Sequence, residues 1–151
     1  MTYGKQSMPS IQFGANSTGE MQGNLAGSVA VLGKLSDLRV QPSNFAVGIL
    51  QNVKIFFRTG NPVGLGAAVV IAAPDKFDFG LACLTSDLSD TSVYNVGAIP
   101  ATLRLPGIVA CSGSSLHSNA AKYNHASVKC SENLLGNTNY AFEIVVRNPT
   151  E

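Results

Sequence analysis

The chain has 151 residues, enough for one domain that buries roughly 68 to 70% of the surface its unfolded form exposes. Charged residues make up 13% of it against about 25% in ordinary domains, and the net charge is +1 with Lys and Arg scattered singly. That excludes the basic stripe a phosphate backbone demands, and no apolar run reaches the ~20 residues of a membrane helix, so neither a nucleic-acid partner nor membrane insertion is expected.

Residues 1–27 read as a flexible polar entry with one apolar patch, Ile11, Gln12 and Phe13, suited to an edge strand; residues 28–149 read as the folded domain. Asn16-Ser17-Thr18 is a glycosylation sequon, whereas Asn148 is followed by Pro149, so Asn16 is the acceptor to consider. The first clear strand spans 26–35. Residues 37–44 form a short strand closed by Pro42-Ser43-Asn44, and residues 46–50 lead on with a bend at Gly48.

The strongest pattern follows. Val53, Ile55 and Phe57 alternate with Lys54, Phe56 and Arg58, a period of two that sends one set to a buried face and the other to a wet one. Phe56 is the exception on the wet side, and is therefore the residue expected to meet a partner or to be covered by the chain's own first residues. Val63-Gly64-Leu65-Gly66 reads as a hairpin-like connection into residues 67–72, which are apolar on both faces and stop before Pro74. Past the corner Pro74-Asp75-Lys76, residues 76–80 read as a strand with Phe77, Phe79 and Leu81 on one side.

Residues 85–95 are a polar loop, 102–105 alternate again, and 112–125 read as a variable loop carrying both histidines, His117 and His125. Ala126, Val128 and Cys130 share one strand face, and Tyr140, Phe142, Ile144 and Val146 alternate in the last and clearest strand. Nowhere do apolar residues recur at helical spacing over the ~10 residues a helix needs. About seven to nine short strands at turn-punctuated intervals predict an all-β antiparallel sandwich. Its expected core is Val53, Ile55, Phe57, Val69, Ile71, Leu103, Leu105, Val128, Tyr140, Phe142, Ile144 and Val146.

The three cysteines fit neither a zinc pattern nor a CxxC redox motif. One disulfide is expected between Cys83, just past the apparent strand at 76–80, and Cys111, just past that at 102–105. Cys130 is then a free thiol or a link to another chain. The alternative is three reduced cysteines buried as small hydrophobes. A nucleophile elbow, a phosphate loop, a zinc HExxH and any local Ser-His-acid signature are absent, so neither an enzyme nor a cofactor is expected. Asp87 and Asp90 are the residues to consider for calcium, but they lack the alternate acids, the sixth-position Gly and the twelfth-position Glu of the EF-hand, so no metal site is expected. With no Trp and with Tyr3, Tyr94 and Tyr123 isolated, stacking on glycans remains an alternative mode of partnership.

Val40-Gln41-Pro42-Ser43-Asn44, then Phe57-Arg58-Thr59, then the apolar strand ending at Pro74 with Phe77 and Phe79, a cysteine, and the closing run from Tyr140 to Pro149 follow one another in a telling order. The chain resembles the repeated immunoglobulin-like modules of very large secreted surface or filament proteins of microbial eukaryotes. That resemblance covers residues 37–149 and departs from the pattern in the odd cysteine. It implies an immunoglobulin-like β-sandwich, extracellular, that serves as a structural or adhesive brick and takes copies of itself or similar domains as partners, with Asn148-Pro149 at the junction to the next module. A signal sequence would lie upstream or have been removed. The low charge and the Ser/Gly/Asn-rich composition also fit a viral or phage capsid or decoration protein, and a calcium- or carbohydrate-binding sandwich is a further alternative.

Overall fold

The computed structural model describes residues 10–14, 35–65, 68–115 and 123–151. Among these, nine strands form: β1 (Ser10–Gly14), β2 (Leu35–Pro42), β3 (Leu50–Thr59), β4 (Ala68–Ala72), β5 (Thr85–Ser86), β6 (Thr102–Leu103), β7 (Val109–Ser114), β8 (His125–Cys130) and β9 (Asn139–Arg147). They make two sheets packed face to face, an all-β sandwich. One sheet has the order β1-β4-β8-β7; the other runs β2-β3-β9-β5, with β6 added parallel to the start of β9.

Period-two alternation in β3 and β9 decides the register. Pairing Val53 with Ile144, Ile55 with Phe142 and Phe57 with Tyr140 puts the apolar half of both strands on one face; a slip of one residue would turn one set outward. Val69, Ile71, Ala126 and Val128 supply the opposing face, and all are buried with them in one core. Burying each of the larger aliphatic side chains contributes on the order of 2 kcal/mol. Phe57 stacks on Tyr140 at 5.6 Å between centroids and meets Phe142 edge-on at 6.4 Å, the arrangements that ring quadrupoles favour. The buried Tyr140 hydroxyl accepts from the Leu135 N–H at 2.8 Å.

Several local expectations give way to tertiary context. β3 and β4 do not form the expected hairpin: they lie in opposite sheets, because each has an apolar face that is covered only by placing one across the core from the other. Residues 76–80 form a corner instead of a strand. Lys76 takes a positive φ of 78°, a single bridge joins Asp78 to Arg147, and Asp78 Oδ1 accepts from the Gly80 N–H at 2.9 Å. Phe79 is consequently buried while Leu81, expected on the same side, is 65% exposed. The 102–105 strand shrinks to two residues, with Leu105 buried and Leu103 partly so. Cys111 lies inside β7 and not beyond a strand, and residues 112–114 belong to that strand. Of the strand expected at 26–35, only Leu35 falls within the described residues.

The outer face of the β3–β9 pair is covered as well. Segment 87–94 folds over it, burying Leu88, and the Tyr94 hydroxyl donates to the Ala141 carbonyl at 3.0 Å while accepting from the Leu88 N–H at 2.8 Å. Glu143, on the face that alternation assigns to water, is only 4% exposed. Its two oxygens accept from Asn52 Nδ2 at 3.1 Å and from the N–H and hydroxyl of Ser89 at 3.0 Å each, which offsets the desolvation of the carboxylate.

Candidate functional site

The site is built at the end of the sandwich where β2 stops, β3 begins and β9 finishes. The Pro42-Ser43-Asn44 turn hands the chain to loop 43–49, and two buried amides shape that loop. Gln51 Oε1 accepts from the Asn44 N–H at 3.0 Å and Gln51 Nε2 donates to Asn148 Oδ1. Asn148 Nδ2 in turn donates to the carbonyls of Asn44 and Ala46, at 3.2 and 2.7 Å. Gly48 sits at φ +70°, which its lack of a Cβ permits, and its N–H donates to the Pro149 carbonyl at 2.8 Å. Asn148 thus clamps loop 43–49 to the end of β9.

Loop 43–49 holds Phe45 and Val47 outward, 81% and 69% exposed. Beneath them, a cavity of about 400 Å³ runs between the sheets, walled by Val40, Val53 and Ile55 on one side and Ile71, Phe77 and Phe79 on the other. At the opposite end of the sandwich, the paired Val63 and Leu134 backbones, bonded at 2.9 and 3.0 Å, bring Leu65 and Leu135 to the surface at 60% and 57% exposure. A Cβ on Gly136 would lie 2.7 Å from Pro62 Cδ, so this end also depends on a glycine. Alternation shows inner faces and not the ends of strands, so neither end was marked as a surface by the sequence pattern.

The residues singled out in the sequence lie elsewhere and apart from one another. Phe56 is half-buried on the outer face, where the Arg39 guanidinium from β2 stands 4.5 Å above its ring; a cation–π contact within the chain covers it. Asp87 accepts from Arg104 Nε at 2.8 Å, both groups being exposed. Asp90 accepts from the hydroxyl and N–H of Ser92 at 2.6 and 3.0 Å, bonds that hold its carboxyl below the usual carboxylate range. The two aspartates therefore have protein partners, and among the described residues no group of three or more His, Cys, Asp or Glu comes together as metal ligands would. Tyr94 has its ring under Arg104 at 4.3 Å. His125 opens β8, with Nδ1 3.1 Å from Asn124 Oδ1; Asn16, His117 and Tyr3 lie outside the described residues.

Cys83 and Cys111 are joined by a disulfide with their Cα atoms 5.2 Å apart. It fastens the chain just before β5, at the edge of one sheet, to β7 at the edge of the other. Cys130 is free and buried, and burial pushes its thiol up to about 11. Among the described residues no helix is long and apolar enough to cross a membrane.

Fold and site together define a disulfide-bonded all-β sandwich with exposed apolar side chains at both ends and a partly open apolar cavity under one of them. No family model, curated protein or solved structure matches the chain.

Proposed function

We propose that this chain is a non-catalytic structural or adhesive module of an extracellular surface layer or filament, assembling end to end with copies of itself or with similar domains. The carrying observation is the placement of exposed apolar side chains: Phe45 and Val47 at one end of the sandwich, Leu65 and Leu135 at the other. Singly exposed apolar residues are ordinary. Pairs at opposite ends of one axis give two unlike surfaces, and contact between unlike surfaces propagates into chains and does not close on itself as a two-fold dimer does. The disulfide supports an oxidising compartment. The resemblance to immunoglobulin-like repeat modules points the same way.

Sedimentation velocity over a range of concentrations tests this reading. The wild type should populate dimers and longer species as concentration rises, and Phe45→Ser or Leu135→Ser should each weaken association roughly tenfold or more, since burying such a side chain is worth about 1.5 to 3 kcal/mol. A monomer at every concentration, or a closed oligomer of one fixed mass, contradicts it.

A further inference from the structure

We propose that the cavity beneath loop 43–49 is a binding site for a small neutral apolar molecule, such as a fused-ring or medium-chain hydrocarbon skeleton. Its volume, about 400 Å³, falls in the range of ligand pockets, roughly 300 to 1,000 Å³. It is two to three times the ~150 Å³ apolar cavity that takes up benzene. The walls are side chains that point inward from both sheets and from the 73–79 corner, with Val53, Ile71, Ala73, Phe79 and Val146 among them.

Water is a poor occupant. A buried water needs two to four polar partners, and the amides that line the cavity already have theirs: Asn148 uses both of its amide protons on the Asn44 and Ala46 carbonyls, and Gln51 bonds Asn148 and the Asn44 N–H. Left empty, the same walls would forgo the dispersion contacts that close packing supplies. A hydrocarbon satisfies them without asking for a hydrogen bond.

Charge narrows the class further. Among the described residues that line the cavity there is no lysine, arginine or histidine, and Glu151 stands among them. An acid headgroup would find no cation to pair with and one carboxylate to repel it, which selects a neutral molecule over a fatty acid. Phe45 and Val47, exposed over this end, give the approaching ligand an apolar path. Phe45 and Val47 line the mouth of this cavity and also form the surface assigned to assembly, so a neighbour seated there would cover the entrance; binding is therefore measured at concentrations where the chain is monomeric.

The test uses the full chain and N-phenyl-1-naphthylamine, a neutral three-ring probe whose emission rises and shifts to the blue in apolar surroundings. Expected are saturable one-to-one binding, displacement by decanol more readily than by decanoate, and the same affinity in Leu135→Ser, where the far end is altered. Ala73→Phe grows a side chain into the cavity and should weaken the probe at least tenfold with an unchanged circular dichroism spectrum. Ile108→Ser, at an exposed apolar residue outside the cavity, should not weaken it. No saturable binding to the full chain means the space is closed or filled by the chain itself and overturns the proposal. Equal losses in Ala73→Phe and Ile108→Ser mean adhesion to the surface, binding lost in Leu135→Ser means a site between copies, and preference for decanoate means an acid-binding site; each of these also overturns it.

Discussion

Replacing Cys83 and Cys111 together with alanine removes the one covalent tie between the edges of the two sheets. The bond spans a sequence separation of 28 residues, and closing a loop of that length in the unfolded chain is worth about 3 to 4 kcal/mol in the chain-entropy account. β5 contributes only the Thr85↔Ile144 and Ser86↔Glu143 pairs to its sheet, and on either side of Cys83 single backbone bonds, from the Gly113 N–H to the Leu81 carbonyl at 2.8 Å and from the Val145 N–H to the Leu84 carbonyl at 3.0 Å, join the segment to its neighbours. For a domain of this size, 1 kcal/mol moves the melting temperature by roughly 2 to 4 °C, so the double variant should melt roughly 6 to 16 °C below the wild type when followed by far-ultraviolet circular dichroism. The wild type in reductant should coincide with the variant. A melting temperature within about 2 °C of the oxidised wild type would refute the claim that this bond constrains the unfolded chain.

Other perturbations probe other parts of the structure. Glu143→Ala removes the carboxylate that accepts from the Ser89 N–H and hydroxyl and from the Asn52 amide, and should lower stability by about 1 to 2 kcal/mol in urea titrations; a loss under about 0.5 kcal/mol would mean that these bonds do not hold segment 87–94 to this face. Gly136→Ala drives a methyl into Pro62, with an expected loss of about 1 to 3 kcal/mol that a neutral result would contradict. The Cys130 thiol, raised from 9.0 to about 11, keeps its proton in the folded state after it would leave the unfolded one. Its contribution is therefore present below about pH 9 and lost as pH rises through 11. At pH 8 a disulfide reagent should label it slowly until denaturant is added, and labelling within seconds in buffer alone would show that the site is not buried as described.

The strands and inner faces could be read from the sequence wherever the alternation ran long. β3 and β9 announced themselves because five or more residues repeat with period two, and the expected core residues on them are buried. Partner choice could not be read. A glycine-rich connection such as Val63-Gly64-Leu65-Gly66 serves a hairpin and a crossover alike, so the pattern predicts a hairpin where the chain steps between sheets. Residues 76–80 alternate for too short a span to distinguish a strand from a corner, and a positive φ at Lys76 has no sequence signature of its own. Glu143 shows the limit most clearly: a carboxylate on an outward position is wet unless something folds over it, and what folds over it is a polar-looking segment whose Leu88 and Tyr94 act as anchors. The cavity and the two apolar ends arise where separate elements terminate together, which no local pattern records. Phe56 was a legible exception with a short-range answer, since Arg39 on the adjacent strand covers its ring.

Head-to-tail assembly makes a specific statement about mixtures. A Phe45→Ser chain keeps its Leu65 and Leu135 end, and a Leu135→Ser chain keeps its Phe45 and Val47 end, so each alone should stay monomeric. Mixed in equal amounts at a concentration where the wild type forms long species, they should pair through the two intact ends and stop, giving dimers and nothing larger in sedimentation velocity. Monomers only in the mixture, or chains as long as those of the wild type, would contradict assembly between the two unlike ends.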